Sequence, residues 1–363
     1  MESNTGAAAP KESFFKRKDI EISFKRYVQD ALSAMALGLF ASLLIGLILK
    51  TLGEQVANLA GQSLVTDFLI EVGGFTMGSG VMGAAIGVAV AQALKAPPLV
   101  LYSCVAVGAL GATVTGFGIP VAGGPAGAFI AVAVGCEFGK MVSKETKVDI
   151  IVTPAVTILA GGLAAKLAGP FMGWCLYEIG KSVMAATEWQ PFWFGIFVAV
   201  VVGLVLTAPI SSAALCIMMS LSGLAAGAAT AGCCAQMVGF AVISYRENGV
   251  GGLVAQGIGT SMLQVSNIVK NPWILLPPTL AGAICGPIST CLFKMTNIPA
   301  GAGMGTSGLV GQIGTFTSMG FTLPVLGQVL LVQIALPALL SYLIYLPMKR
   351  GGLIKDGDLK LDL

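Results

Sequence analysis

The sequence predicts an all-α, polytopic integral membrane protein, and three observations lead to that fold class. Of the 363 residues, 56% are hydrophobic and only 10% are charged, and the mean hydropathy is +0.88. A soluble domain is usually about 25% charged. The 49 glycines suit helices whose backbones pack closely in a bilayer. Long stretches contain no charged residue at all, namely 31–49, 72–94, 96–136, 189–245, 248–269 and 295–348.

These uncharged stretches predict roughly ten membrane segments, because one span needs about 20 apolar residues. Some of the segments need not cross fully. Glycine and proline clusters predict broken or re-entrant helices, which are tolerated at membrane depth only inside protein or beside a water-filled cavity. Spans are predicted, in chain order, at residues 31–49, 71–94, 97–116, 148–165, twice within 189–245, and at 250–269, 272–293 and 323–348.

The regions between the spans are assigned from their polar residues. Residues 51–67 are predicted to be a linker, and 167–186 an amphipathic segment at the membrane interface or at a subunit contact. A break is expected at 208–212, where Pro209 is followed by two serines. These assignments place one membrane domain at residues 31–349.

The basic clusters at the two ends predict the orientation. Residues 1–30 carry Lys16–Lys18, Lys25 and Arg26, and with their aromatic residues they form either an interfacial amphipathic helix or a solvated tail. Lys349 and Arg350 precede the tail 350–363. By the positive-inside rule both ends are expected in the cytoplasm, the protein being located in the bacterial cytoplasmic (inner) membrane.

Two glycine-rich segments predict an internal two-fold repeat. Residues 119–135 read IPVAGGPAGAFIAVAVG and residues 298–314 read IPAGAGMGTSGLVGQIG. Upstream of each, Gln92 and Lys95 correspond to Asn267 and Lys270, followed by proline and an apolar run. The predicted halves are about 66–182 and 231–349. Matching halves with Gly/Pro-interrupted segments are typical of transporters whose site lies between the repeats.

Composition also excludes several chemistries. The chain contains no histidine, so a histidine-ligated metal, a Ser-His-Asp triad and a phosphohistidine are ruled out. The eight cysteines form no Cys-x-x-Cys pair, and we predict no metal and no cofactor. The net charge of +3 with short basic clusters gives no indication of nucleic-acid binding.

Three longer stretches carry a resemblance to a known family. They are GPAGAFIAVAVGCEFGKMVSKETKVDIIVTPAVTI (124–158), AGCCAQMVGFAVISYRENGVGGLVAQGIGTSMLQVSNIVKNP (231–272) and AGAGMGTSGLVGQ (300–312). The chain resembles the PfoR-type family of phosphotransferase-system IIC-like membrane proteins over about residues 25–350.

The resemblance implies a homodimeric inner-membrane permease with re-entrant hairpins around a solute cavity, in which a separate phosphorylated IIB protein modifies a sugar. IIA and IIB proteins would then be separate partners. The missing histidine departs from the pattern of sugar IIC sites. Three functions therefore stay open: a IIC-like permease for a sugar or similar small polar solute, a secondary transporter of a small anion on a IIC-like scaffold, and a ligand-sensing membrane regulator.

Candidate solute-binding residues come from polar groups inside uncharged runs. Glu137 is either a cavity carboxylate or one half of an ion pair with Lys140 three residues later. Gln256, Gln264 and Asn267 share one helix face and must contact protein or a cavity, because carboxamides are costly in lipid.

The second glycine-rich segment supplies hydroxyls and an amide. If 301–305 is a hairpin tip, a helix begins near Thr306 and its free N–H groups favour an anion or a hydroxyl oxygen. Its candidates are Gly303, Thr306, Ser307 and Gln312. In the first half Gly123, Gly124 and Gln92 are the counterparts, and the two glycine-rich segments are expected to face one another across the cavity. Weaker candidates are Gln236, Ser211 and Ser212.

Overall fold

The computed structural model describes residues 14–116, 121–208 and 210–361, and within these ranges the chain is helical and contains no β-strand. Six helices are long and apolar enough to cross a membrane, and a seventh span results if one pair bent by 60° is counted as a single segment. Two further apolar helices are shorter. The predicted all-α membrane fold is confirmed, whereas the count of roughly ten segments and the repeat stay predictions.

The N-terminal half forms one bundle of helices. A short helix, Phe14–Arg17, precedes it. The first long helix contains two π-helical stretches, Lys25–Ala31 and Phe40–Leu44. The bundle consists of α1 (Lys25–Ala60), α2 (Leu64–Thr76), α3 (Ser79–Ala93), α4 (Pro98–Thr113), α5 (Gly124–Val142) and α6 (Asp149–Trp189).

The C-terminal half forms a second bundle around one central helix. This helix, α9 (Gly223–Ile243), is almost entirely buried, and it packs on α7 (Pro191–Thr207), α11 (Pro272–Leu292) and α13 (Leu323–Arg350). Its small residues allow this: a Cβ at Gly232 would overlap the carbonyl of Ala199 on α7. The helices are α7 (Pro191–Thr207), α8 (Ser212–Met218), α9 (Gly223–Ile243), α10 (Tyr245–Val254), α11 (Pro272–Leu292), α12 (Val310–Met319) and α13 (Leu323–Arg350).

Shorter helical pieces connect these elements. Between α10 and α11 lie a π-helical turn, a 3₁₀ turn and a short α-helix, at Ala255–Gly259, Ser261–Gln264 and Val265–Lys270. Between α11 and α12 lie Pro299–Ala302 and the 3₁₀ turn Ser307–Leu309.

The short helix α8 lies between the two bundles. It contacts α1 and α5 of the first bundle and α7 and Pro299–Ala302 of the second. Its Ala214 and Ile217 belong to the apolar core of the first bundle, and its Cys216 to a core formed with α7 and α9. A displacement of α8 would therefore be felt in both halves of the molecule.

Several predicted boundaries differ from the observed ones. The expected linker 51–67 is helical except at 61–63, because α1 continues to Ala60 and Ser63 caps α2. The segments 148–165 and 167–186 form one 41-residue helix, α6, which accommodates Pro154 and Pro170. The expected span 250–269 is broken into short turns, since Gly249 is not helical and Thr260 is extended.

Other boundaries agree with expectation. The predicted break at 208–212 is observed, because α7 ends at Thr207 and α8 begins at Ser212. The Ile-Pro pair 119–120 and residues 1–13 of the basic segment lie outside the described residues.

Candidate functional site

A cavity lies where α8 meets both bundles. Its volume is about 410 Å³, within the range of about 300–1,000 Å³ typical of small-molecule sites. Helix α1 supplies one wall, the end of α7 and the start of α8 a second, and the turns after α10 and after Pro299–Ala302 the rest. The lining contains no charged side chain and consists of Ser33, Ala36, Leu37, Leu39, Phe40, Leu44, Leu206, Ile210, Ser211, Ser212, Ala213, Ile217, Thr260, Met262, Met304 and Ser307.

Hydroxyl groups are the polar side chains of this lining. Ser212 donates to the carbonyl of Gly303 at 2.6 Å, which joins α8 to the second glycine-rich segment. Thr260 accepts from the amide of Met262 at 3.2 Å, so its own proton is still available. Among the described residues none hydrogen-bonds the hydroxyl of Ser33 or Ser307. The cavity therefore offers hydroxyl donors and acceptors and no net charge.

The second glycine-rich segment forms a tight turn at the cavity rather than the start of a helix. Gly305, Gly308 and Leu309 all have left-handed φ values, of 55°, 53° and 59°. The following helix, α12, begins at Val310, not near Thr306 as the sequence predicts. A left-handed leucine is unfavourable by about 1–2 kcal/mol, so surrounding contacts must hold this turn in place.

A buried network of hydrogen bonds around Asn297 stabilises the turn at residues 305–309. Asn297 is 1% exposed, and its amide nitrogen donates to Thr230 at 2.7 Å and to the carbonyl of Gly311 at 2.9 Å. Its oxygen accepts from the amide of Ile298 at 2.8 Å. Thr315 receives a further bond from Gln333 at 2.9 Å. Because α9, α12 and α13 all contribute, the turn is fixed to the centre of the second bundle.

The predicted residues of this segment divide into two groups. Ser307 lines the cavity, and Gly303 lies directly behind Ser212. Thr306 is buried against the sulfur of Met237, and Gln312 donates to Gln333 at 2.9 Å. Neither of the latter two is part of the cavity lining, and the geometry gives them a role in holding the turn.

The first glycine-rich segment has a different structure. A Cβ at Gly127 would overlap the carbonyl of Gly111, so α5 and α4 pack backbone to backbone. Gly124 has a φ of 57° and faces open space. Gly123 and Gly124 line a cavity of only about 70 Å³, together with Tyr177 and Ser220, which is room for about two water molecules. Gly123 and Gly124 share this small cavity with Ile217 and Met218 of α8, whereas Gly303 accepts from Ser212 at the first residue of α8.

Glu137 belongs to an ionic cluster between α5 and the N-terminal residues. Its carboxylate lies 3.0 Å from Lys140 and accepts from the hydroxyl of Tyr27 at 2.8 Å. Lys140 is 1% exposed and also donates to the carbonyls of Asp19 and Leu94, at 2.7 and 3.0 Å. Of the two interpretations of Glu137, the ion pair with Lys140 is the one observed. A role in solute binding stays a prediction.

The same cluster anchors the N-terminal segment. Arg26 donates to both carboxylate oxygens of Asp19, at 3.1 and 2.9 Å, and to the carbonyl of Leu94 at 2.7 Å. The hydrogen bond from Arg26 lowers the pKa of Asp19 below its ordinary value. Residues 14–26 are thus packed on the protein by specific bonds, and Lys25–Ala31 already belongs to α1.

The three carboxamides predicted to face the solute are bonded to one another and to the C-terminal tail. Gln264 donates to Gln256 at 2.9 Å, and Asn267 donates to Gln264 at 2.8 Å. Gln264 and Asn267 also reach the carbonyls of Leu359 and Lys360. None of the three lines the main cavity. Gln92 is exposed on the last turn of α3, and Gln236 bonds Thr279 at 2.9 Å.

Sequence reasoning missed several cavity residues. Ser33, Thr260 and Met304 were not selected, and Ser212 ranked only as a weak candidate. The importance of Asn297 could have been inferred from the sequence, because this amide directly precedes the second Ile-Pro pair inside an uncharged run. A buried amide in an apolar segment must find partners, and here its partners shape the cavity turn.

Comparison with protein-family models gave one match. The family model for the phosphotransferase system EIIC matches residues 29–361. Neither the comparison with curated proteins nor that with solved structures gave a match. The chain belongs to the phosphotransferase system EIIC family, and it is accordingly a multi-pass membrane transporter of the EIIC type. The narrower PfoR-type assignment stays a prediction.

Proposed function

We propose that this EIIC protein moves a small, neutral, polyhydroxylated solute, such as a sugar or a polyol, through the cavity beside α8. The cavity is of suitable volume and lies between the two bundles, which is where a transporter built from two halves binds its solute. The second glycine-rich segment and α8 form its binding face, with Ser307, Ser211 and Ser212 as the nearest hydroxyls.

The composition of the cavity lining supports this choice of solute class. The lining combines hydroxyl groups with apolar side chains, including the ring of Phe40, and holds no lysine, arginine or carboxylate. A sugar presents hydroxyls at its rim and C–H groups on its faces, and such a mixture matches this lining. A carboxylate anion would enter without a cationic partner, at a considerable desolvation cost. The secondary transport of a small anion is therefore less well supported.

We propose that the source of any phosphoryl group lies outside this chain. The sequence contains no histidine and therefore no phosphohistidine of its own. We propose that a separate IIB protein acts on the solute delivered through the cavity, and that transport across the membrane is the task of this chain.

The experiment is solute binding and uptake by the purified chain in lipid vesicles. Neutral sugars and polyols are compared with small carboxylates of similar size. We expect saturable uptake of at least one neutral solute and none of the carboxylates. Saturable uptake of a carboxylate with no neutral solute bound would refute the proposed solute class.

A matched pair of variants locates the path. Ser307→Leu adds volume inside the cavity, whereas Ser182→Leu adds the same volume at an exposed position of α6. We expect Ser307→Leu to reduce uptake at least tenfold, through loss of about 1.4 kcal/mol of binding, and Ser182→Leu to leave uptake unchanged. Equal solute uptake by both variants would show that the solute does not pass through this cavity.

A further inference from the structure

The C-terminal residues Leu353–Leu361, here called the strap, fold back onto the protein after α13. Ile354 and Leu359 are fully buried, at 1% and 0% exposure. They join an apolar cluster formed by α9, α11 and α13, whose members include Phe240, Ile274 and Tyr345. The strap is therefore seated in a groove, although the sequence predicts a polar cytosolic tail at 350–363.

Side chains of α10 form hydrogen bonds with the backbone of the strap. Asn248 donates to the carbonyl of Leu359 at 2.8 Å and accepts from the amide of Leu361 at 2.8 Å. Glu247 accepts from the amide of Leu359 at 3.1 Å. Asn248 thus satisfies one carbonyl and one amide of the strap, whose residues 356–359 form turns. The groove thus binds the strap through its main chain, with Ile354 and Leu359 as apolar anchors.

A chain of carboxamides extends from the strap into the protein. Gln264 donates to the carbonyl of Leu359 at 3.0 Å and to Gln256 at 2.9 Å. Gln256 in turn donates to Ser244 at 2.7 Å. Gln256 and Gln264 are both 0% exposed, so water cannot replace a lost partner without rearrangement.

The segment between these two glutamines forms part of the wall of the main cavity. Thr260 and Met262 line the cavity, and each lies within four residues of Gln256 or Gln264 in the chain. Thr260 is extended, with φ −160° and ψ 143°, between a π-helical turn and a 3₁₀ turn. A wall made of short, irregular turns gains little rigidity from its own backbone. Its position depends on its anchored ends and on the 2.9 Å hydrogen bond between the hydroxyls of Ser261 and Thr207 of α7.

We propose that the strap positions this wall: Gln256 and Gln264 act as positioning residues, and the bound strap holds Thr260 and Met262 in the geometry that binds the solute. Detachment of the strap loosens the wall and weakens solute binding without unfolding the two bundles. The inference rests on the proposed function for its effect on the solute. The coupling between strap and wall does not depend on the proposed function, because it is inferred from the hydrogen bonds of Gln264 with Leu359 and Gln256.

The test removes the strap and supplies it again. A chain ending after Gly352 is compared with the full chain by hydrogen exchange and by affinity for the neutral solute. A synthetic peptide with the sequence of residues 353–361 is then added. We expect the amides of 259–264 to exchange about tenfold faster, and solute affinity to fall about tenfold, as loss of about 1.4 kcal/mol implies. The peptide should restore both.

A second pair of variants covers the case in which the shortened chain does not fold. Asn248→Ala removes two bonds to the strap, and Lys360→Ala changes an exposed side chain of the strap while leaving its backbone hydrogen bonds in place. We expect Asn248→Ala to reproduce the faster exchange at 259–264, and Lys360→Ala to behave as the original chain.

The outcomes separate this inference from the proposed function. Unchanged exchange at 259–264 in folded chains without a bound strap overturns the inference, and so does faster exchange with unchanged solute affinity. A full chain that binds no neutral solute overturns the proposed function, while the exchange experiment still decides whether the strap holds the wall.

Discussion

The two glycine-rich segments look alike in sequence and are used differently. In the first, Gly127 lets α5 approach the backbone of α4, and the neighbouring cavity holds about 70 Å³. In the second, Gly305 and Gly308 form a left-handed turn beside a cavity of about 410 Å³. The difference follows their polar neighbours: Asn297, Thr306, Ser307 and Gln312 accompany the second segment alone. Glycine permits either close packing or a turn, and the amides and hydroxyls nearby decide which.

Substitution within the ionic cluster at the end of α5 has the largest expected effect on stability. It tests whether Glu137, in the first half of the chain, stabilises the fold rather than binding the solute. Glu137→Gln leaves Lys140 buried without its carboxylate partner. If the ion pair with Lys140 is its role, we expect the free energy of unfolding to fall by about 3 kcal/mol, with the solute affinity of the folded fraction unchanged. The measurement is chemical denaturation in detergent together with solute binding. A folded, stable variant with altered solute affinity would place Glu137 in the solute path and break the comparison.

A pair of glycine substitutions sharpens the comparison directly. A Cβ at Gly127 meets the carbonyl of Gly111, and a Cβ at Gly303 meets the backbone of Ser212 at 2.5 Å. We expect Gly127→Ala and Gly303→Ala each to cost about 1–3 kcal/mol of stability through overpacking. Only Gly303→Ala should also weaken solute binding, because Ser212 lines the cavity.

Gly124→Ala serves as the control for that pair. Nothing lies within 4 Å of a Cβ at Gly124, but its φ of 57° strains any other residue. We expect a loss of about 1 kcal/mol with no effect on the solute, measured by thermal unfolding with and without solute. Weakened solute binding by Gly127→Ala or Gly124→Ala, at unchanged stability, would show that the two segments share one site.

Fold and site were predictable to different extents. The break between α7 and α8 was predicted, because Pro209 and two serines interrupt an apolar run. The division into a span at 148–165 and an amphipathic segment at 167–186 was wrong, because α6 continues through both as one helix. Gln256 and Gln264 were recognised as buried, but Gln264 bonds the strap, 95 residues further along the chain. Local patterns show that a polar group needs a partner and do not show which distant segment supplies it.

Acidification has the smallest expected effect on stability, and the group concerned, Asp19, again lies in the N-terminal half of the chain. The pKa of Asp19 is lowered by its hydrogen bond from Arg26, so its stabilising contribution is complete above the ordinary value of 3.8 and is lost as pH falls through the lower folded value. Because Asp19 is half exposed, solvent limits the loss to less than about 1 kcal/mol.

The measurement is unfolding between about pH 5 and pH 2, with Asp19→Asn as the control that lacks this titration. We expect the original chain to lose more stability than the control over this range. Parallel curves would assign the loss to other groups.

Solute protection of single cysteines tests most directly that the second segment, and not the first, binds the solute. Ser307→Cys and Ala122→Cys are introduced separately into a chain whose Cys175 and Cys291, which are not buried, are replaced by serine. Both positions line cavities, of about 410 and 70 Å³. We expect a neutral polyhydroxylated solute to slow thiol labelling of Ser307→Cys and to leave Ala122→Cys unaffected. Protection of Ala122→Cys alone, or of both to the same degree, would contradict a site built by the second segment and α8.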